Sequence, residues 1–532
     1  MRQRVFPIVM ILSLLLATAG GVVSISAAAT PIAKPSSTID WHACATTELP
    51  TKACGELEVP LDYDEPVGAT ISIVVTRVPA TDQSARIGSL FLNPGGPGVP
   101  GILVFPQQYA TLPKKLREQF DIVGFDPRGV GDSAPVRCFT SIADLTAFNS
   151  QNMAEWMAPA NATDAAAALA AYKNLAKRCG ELNADILPHL STANVATDLD
   201  WLRQAVGDKQ LNYLGTSYGT YLGETYANLF PDRIRAMVID GTINPPSYTS
   251  FDHGDGDIVG PDTTSFLRIL GPEASTAALN EFLSQCAAAG IDRCAFAAPT
   301  SAETQTKFDD LMTRLREEPA VLTGPAGTLT VTSSFIITLV WSSLYTDPDW
   351  PILAEALQHL AVGDTTGFFM TIQGAIGTPL PTQYVNSNEA RLASNCVDTD
   401  NPVDPALYDE MAKSVRQRSP YFGELWLNLS LPCAFWPAQD EDRYEGPWNA
   451  ETSATILIVS RVFDPATPHG GAILAEKTLA NARLLTIDGW GHGYYAAGTS
   501  TCANDAMAAY FISGELPPVG TVCMEDSPPF GG

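Results

Sequence analysis

The sequence predicts an α/β protein: a mostly parallel sheet with helices on both faces, interrupted between two strands by a large, mainly helical cap. Three observations predict it. Short β-rich apolar runs alternate with helical stretches in two separate parts of the chain, the alternation stops between about Thr242 and Thr452, and several runs end in Gly- and Pro-rich turns. No repeat with a period of about 20–50 residues is present, which sets aside solenoids and propellers.

The strands of the first part are read at Gly55–Val59, Thr70–Val78, Ser89–Leu92 and Phe120–Phe125, the second of them carrying the run Ile71-Ser72-Ile73-Val74-Val75. The Ser89–Leu92 run stops at Asn93-Pro94-Gly95-Gly96-Pro97-Gly98, and the Phe120–Phe125 run at Asp126-Pro127-Arg128-Gly129. Ala165–Lys177 is helical by composition. In Val195–Val206 the apolar Val195, Leu199, Leu202 and Val206 recur at helical spacing. Leu211–Leu214 is a strand leading into Gly215-Thr216-Ser217-Tyr218-Gly219, followed by a helix through Phe230 and a strand at Ile234–Ile239. The middle is richer in helical patterns, for example Ala302–Glu317 and Ile352–Leu360. Thr455–Ser460 and Arg483–Asp488 then resume as strands, with Gly470–Leu479 and Asn504–Ser513 as helices. The chain therefore divides into a sheet-forming core at 40–241 and 453–532 and a cap at 242–452, which lies over the carboxyl ends of the strands, where open α/β sheets place their ligands.

Residues 1–29 read as an export signal: Arg2 and Arg4, the apolar run Phe6–Ala17, then Ala27-Ala28-Ala29. The competing reading is an uncleaved anchor, but the apolar run is shorter than the roughly 20 residues a span requires. No cysteine follows that run to take a lipid, and no later apolar stretch is long enough to cross a bilayer. The expected location is extracellular or cell-surface, with no stable membrane anchor. Export makes the ten cysteines candidate disulfides; pairing each with its nearest neighbour gives Cys44/Cys54, Cys138/Cys179, Cys286/Cys294, Cys396/Cys433 and Cys502/Cys523, although spacing does not fix connectivity. Catalytic or metal-binding thiols are the alternative, and no C-x-x-C pair supports them.

Hydrophobic residues at 45% supply a large core, and 17% charge is too little for a disordered chain. With 58 Asp+Glu against 31 Lys+Arg the formal charge is −27, which argues against nucleic-acid partners and anionic membrane surfaces.

Gly215-Thr216-Ser217-Tyr218-Gly219 is a G-x-S-x-G between a strand and a helix, the context in which a strained turn projects a serine hydroxyl above a helix N-terminus. A serine needs a base, and the base an orienting acid. Of six histidines, His492 follows the strand Arg483–Asp488 within Gly491-His492-Gly493; His469 is the runner-up and otherwise opens a helix. Asp464, past the strand Thr455–Ser460, is the acid, with Asp488 competing and a turn aspartate as the plain alternative. The chain order Ser217, Asp464, His492, each just past a strand, is that of an α/β-hydrolase triad. The Asn93–Gly98 loop has the glycines for an oxyanion hole, and the Tyr218 N–H supplies the other donor. Asp126 and Arg128 are assigned to loop bracing. No Walker A motif, zinc-ligand pair or dinucleotide fingerprint occurs, so no cofactor is expected.

On these motifs the chain resembles the secreted tripeptidyl aminopeptidase-like branch of the α/β-hydrolases, related to proline iminopeptidases. The likeness runs from Trp41-His42-Ala43-Cys44 and Val59-Pro60-Leu61-Asp62-Tyr63 through Asn93–Gly98, Asp126–Ser133 and Gly215–Thr220. It continues through Asp464-Pro465-Ala466-Thr467-Pro468 and Gly491-His492-Gly493 to Gly520-Thr521-Val522-Cys523. The resemblance implies Ser217 as nucleophile, His492 as base, Asp464 as acid, and Gly96 with Tyr218 as oxyanion donors. Proline iminopeptidases read H-G-G-P-G where this chain has Pro94-Gly95-Gly96-Pro97-Gly98, which leaves Gly95 and Gly96 both open as the loop donor.

The resemblance favours an aminopeptidase that releases short peptides from free N-termini. A cap carboxylate would then hold the α-ammonium; Glu355, Glu389 and Asp398 are among those available, and the sequence selects none. The rival is a carboxylic-ester or lactone hydrolase on a small apolar substrate, since the same triad cleaves either bond, so the expected partner is a peptide or a small-molecule substrate. From a different class, a catalytically inactive binding module uses the same fold without chemistry, but this chain keeps the full triad.

Overall fold

Ten strands form one sheet among the described residues of the computed structural model, which describes residues 38–44, 49, 52–149, 153–250, 263–324, 327–376, 383–493 and 500–531. The export-signal reading at 1–29 and His253 lie outside the described residues. In chain order the strands are β1 (His42–Ala43), β2 (Ala53–Pro60), β3 (Thr70–Val78), β4 (Gly88–Asn93), β5 (Phe120–Phe125), β6 (Leu211–Thr216) and β7 (Ile234–Asp240). A separate two-stranded hairpin follows, β8 (Ala320–Gly324) and β9 (Gly327–Val331), and then β10 (Ile456–Phe463), β11 (Ala482–Trp490) and β12 (Val522–Met524). The sheet order is β1-β2-β3-β5-β4-β6-β7-β10-β11-β12. Pairing is antiparallel from β1 to β5 through β3 and parallel from β5 to β12.

The central strands β4, β5 and β6 are buried at every residue, as strands covered on both faces must be. Alternate side chains serve opposite cores. Leu90 and Leu92 join Ile122, Val238 and Leu485 on one face, while Phe91 joins Val123, Leu199, Tyr213 and Ile239 on the other. The register places the ends of β4, β6 and β7 side by side, with Asn93 opposite Gly215 and Thr216 opposite Asp240. Those ends carry the site.

Between β7 and β10 the chain is mainly helical, from Gly271–Ala289 and Ser301–Glu317 to Ser387–Asp398 and Gly423–Ser430. The β8–β9 hairpin is an addition to the helical reading of this stretch. Val321 and Thr330 are β-branched and pair across the two strands, which suits a pleated ribbon. A third buried cluster lies largely within this insert and joins it to other parts of the chain. Phe148, Trp156, Tyr172 and Leu175, from the helices after β5, pack there with Phe266, Trp350, Trp426 and Leu429 from the insert.

All five nearest-neighbour disulfides are present, and no cysteine is free. They close loops of 8 to 41 residues, short enough that each adds on the order of 2–4 kcal/mol by restricting the unfolded chain. Among the described residues no helix is long and apolar enough to cross a membrane.

Candidate active site

The chain turns at Ser217 through a positive-φ conformation. The serine follows β6, has φ 59° and ψ −127°, and caps the helix Tyr218–Leu229. Positive φ is costly for a residue with a Cβ, so the surroundings must hold it. The Ser217 N–H donates to the carbonyl of Asp240 at 2.9 Å, and its own carbonyl accepts from the Thr220 N–H at 2.8 Å. The flanking glycines are required by contact. A Cβ on Gly215 would come within 2.2 Å of the Gly219 carbonyl oxygen, and one on Gly219 within 2.9 Å of the Asn93 carbonyl oxygen.

Asp464 is the first residue past β10, and His492 lies two residues past β11. The imidazole sits squarely on the carboxylate, with Nδ1 2.9 Å from Oδ1 and 3.0 Å from Oδ2. Because a carboxylate only accepts, Nδ1 carries the proton and Nε2 is left as the basic nitrogen. Asp464 is buried and takes further hydrogen bonds from the N–H groups of Ala466, Thr467 and Gly493 and from the Thr467 hydroxyl. Burial raises its pKa, yet the charge and hydrogen bond of His492 and those N–H groups carry the net shift below the ordinary carboxylate value. For His492 burial acts downward, and the Asp464 charge overcomes it, so the imidazolium is stabilised above its usual range.

The histidine loop is fixed on its other side as well. The His492 N–H donates to the Tyr345 carbonyl at 2.8 Å, and the Tyr345 ring stands edge-on to the imidazole with centroids 4.9 Å apart. Gly491 and Gly493 have φ of 90° and 62°. A Cβ on Gly493 would come 2.7 Å from Thr216 Cγ2, so the residue after the histidine presses on the residue before the serine. The structure places Ser217, Asp464 and His492 just past the carboxyl ends of β6, β10 and β11.

Gly95, Gly96 and Gly98 all have positive φ. A Cβ on Gly95 would fall 2.3 Å from the Thr216 carbonyl oxygen and 3.0 Å from Tyr218 N, so this loop lies directly on the serine turn. The Gly95 N–H is already committed to Asn93 Oδ1 at 2.9 Å, whereas Gly96 lines the cavity above Ser217 together with Tyr218.

The other sequence candidates lie elsewhere. His469 begins the helix His469–Thr478 with Nδ1 3.1 Å from Ser460 Oγ, and Asp488 is exposed within β11. Asp126 accepts from the N–H groups of Ile102 and Asp132, and burial pushes it up to about 6. Arg128 forms a buried bidentate pair with Asp198 (2.7 and 2.6 Å) and donates to the carbonyls of Pro60, Leu61 and His189, which ties four segments together. Both brace loops. Of the cap carboxylates, Glu355 is exposed beside His359, Glu389 is buried under the Tyr384 hydroxyl, and Asp398 is buried against Thr192. None of the three lines the cavity.

That cavity holds about 990 Å³ of empty space up to and including its mouth. Its walls are largely aromatic: Phe148 and Trp156 from one side, Phe266, Trp341, Tyr345 and Trp426 from the insert. Arg391 is the one charged side chain in the lining among the described residues. Sequence reasoning missed Thr467, Tyr345 and Arg391. Thr467 stood in a quoted motif, and its hydroxyl could have been suspected from its spacing of three after Asp464. Tyr345 and Arg391 belong to the insert, where no local pattern marks them.

Residues 419–523 match a family profile described as TAP-like protein, and residues 88–278 one described as alpha/beta hydrolase fold. The chain is 32% identical to the serine protease Hip1 of Mycobacterium tuberculosis, over 91% of each chain. It is also 32% identical to the tripeptidyl aminopeptidase of Streptomyces lividans, over 92% of this chain and 87% of that one. Identity to carboxylesterase B of Mycobacterium tuberculosis is 33%, over 91% and 89%.

Proposed function

Since this chain belongs to the tripeptidyl aminopeptidase-like family of α/β-hydrolases and is a serine hydrolase, we propose that Ser217, His492 and Asp464 form its catalytic triad and that it is an exported aminopeptidase releasing short peptides from free N-termini. The observation that carries the triad is the seat of the His492 imidazole on the buried Asp464 carboxylate, next to the loop pressed against Thr216. Ser217 Oγ attacks the scissile carbonyl as His492 Nε2 takes its proton. Asp464 holds the tautomer and stabilises the imidazolium. The N–H groups of Tyr218 and Gly96 receive the oxyanion, helped by the N-terminal end of the helix that Tyr218 opens. The proton then passes from Nε2 to the departing amine, leaving an acyl-enzyme on Ser217. Water repeats the sequence with His492 again as base and frees the acid.

Exopeptidase action is supported by the 32% identity to a tripeptidyl aminopeptidase over 92% of this chain. Export is supported by five disulfides, which persist in oxidising compartments. A second reading, a carboxylic-ester or lactone hydrolase, is favoured by one specific observation: among the described residues no carboxylate lines the cavity to meet an α-ammonium. Labelling of the protein by a fluorophosphonate, abolished by Ser217→Ala, tests the serine chemistry and rejects an inactive binding module. A panel of N-free and N-blocked peptides beside simple esters then separates the two readings. Rapid ester turnover without peptide cleavage rejects the aminopeptidase.

A further inference from the structure

The helix Ser387–Asp398 lies with its backbone directly on the glycine loop: a Cβ at Gly98 would come 2.5 Å from both Arg391 N and the Ser387 carbonyl oxygen. This contact fixes Arg391 one turn into a helix, beside the loop that faces Ser217, with its half-buried side chain in the cavity wall. The guanidinium has five N–H donors. Its hydrogen bonds go to neutral acceptors at the long end of the range, Nη1 to the Leu429 carbonyl at 3.3 Å and Nη2 to Asn388 Oδ1 at 3.1 Å.

In a chain with 58 acidic residues against 31 basic ones, carboxylate partners are abundant. Buried Arg128 and Arg461 each face one, whereas the wall around Arg391 supplies none among the described residues. The nearby wall groups are phenols. Tyr172, Tyr248 and Tyr345 have pKa values raised by burial, so they stay neutral and balance no charge. Burial also draws Arg391 below the ordinary arginine value, with those phenols opposing it, but an arginine keeps its proton in proteins. A cation in a largely aromatic wall attracts an anion and repels an ammonium.

We infer that Arg391, steadied by Asn388, anchors a carboxylate carried by the substrate. The inference rests on Ser217 being the nucleophile of this cavity and is indifferent to whether the bond cleaved is a peptide or an ester. A carboxylate held inside the cavity means that the substrate ends there and is short. The shared chemistry has two sources. It is either the α-carboxylate of a short peptide, on the leaving-group side, or the acid end of a dicarboxylic half-ester, on the acyl side.

Two matched pairs separate the sources: an unblocked short peptide with its C-terminal amide, and monoethyl glutarate with diethyl glutarate. Each is assayed with the full protein and with Arg391→Met and Arg391→Lys, active sites being counted by fluorophosphonate labelling. In one pair the native protein prefers the acid over its uncharged partner by about 10- to 100-fold in kcat/KM, chiefly through KM, as a charge-assisted bidentate contact predicts. Arg391→Met brings that ratio to about one, and Arg391→Lys retains part of it, because a point charge attracts without the fork. If neither pair is turned over, protection of Ser217 from labelling by the acid and by its partner gives the same ratio. Equal treatment of acid and partner by a labelled native protein overturns the inference. So does a preference that survives Arg391→Met, or an equal fall for both members, which marks a structural role. A native protein that takes no label defeats the serine-hydrolase chemistry and the anchor with it.

Discussion

The floor and the roof of the cavity are held by different forces. The floor is backbone. Ser217 sits at positive φ, Gly95, Gly215, Gly219 and Gly493 are each in contact too close for a side chain, and Asp464 accepts from three backbone N–H groups, a hydroxyl and an imidazole. The roof is packing. Phe148 meets Trp156 at 5.3 Å, Phe266 meets Trp426 at 5.4 Å, and Trp341 crosses Trp426 edge-on at 5.6 Å. Bond making requires atoms placed to a fraction of an ångström, which covalent geometry and hydrogen bonds supply. Apolar contacts are broad and tolerate exchange at small cost. The division locates chemistry in the floor and selectivity in the roof, and graded substitutions can break it.

The largest effect belongs to the proposed nucleophile. Ser217→Ala lowers kcat by about 10⁵- to 10⁶-fold and removes fluorophosphonate labelling, while the melting temperature stays close to native because the alanine leaves the turn's hydrogen bonds intact. Asp464→Asn follows, at about 10⁴-fold in kcat. It also carries a pH signature. As the proposed base His492 must be neutral, so native kcat/KM falls as pH drops through a value above the ordinary histidine range, where Asp464 holds the imidazolium. Without that charge, burial and the Arg461 charge favour the neutral ring against the smaller pull of Asp240, and the acid limb moves to lower pH. A limb that stays in place would mean that another group controls the profile.

Gly95→Ala comes next. Its Cβ would meet the Thr216 carbonyl oxygen at 2.3 Å and Ser217 Cβ at 2.9 Å from a backbone at φ 86°. The loop must retreat, which takes Gly96 out of line with the Tyr218 N–H. With Gly96 as the proposed oxyanion donor, its loss lowers kcat by about 10²- to 10³-fold with KM changed little. A fall confined to KM would place the oxyanion donor elsewhere.

The same division governs what could be read from the sequence. Floor residues announce themselves because their constraints are local: glycines flank Ser217 and His492, and Asp464 precedes a Pro-rich turn, each just past an apolar run. Strands β2 to β7, β10 and β11 were legible to within a few residues for the same reason, since a continuous apolar run such as Leu90-Phe91-Leu92 reports burial on both faces, whereas the short β1 and β12 and the β8–β9 hairpin were not read. The roof obeys no local rule. Phe148, Phe266, Trp341 and Trp426 lie far apart in sequence and meet only after the chain has folded. Neither the sharing of the roof by the helices after β5 nor the place of Arg391 in the wall leaves a periodic trace.

The smallest predicted effect tests the roof itself. Trp341 lines the cavity at the end of the helix Ser333–Ser343, edge-on to Trp426 at 5.6 Å and to Tyr345 at 5.2 Å. Trp341→Leu keeps an apolar wall and forfeits these ring contacts, each worth about 0.5–1.5 kcal/mol beyond the area they bury. Tyr345 remains pinned through its carbonyl, which accepts from His492, so the imidazole keeps its seat. The expected loss is about 2- to 10-fold in kcat/KM for bulky apolar substrates, carried mainly by KM and smaller for substrates that do not reach the wall. Steady-state kinetics over substrates of graded bulk decide the matter. A uniform fall in kcat with KM constant would mean that the ring of Trp341 is felt at His492 through Tyr345, and the separation of floor from roof would fail at that residue.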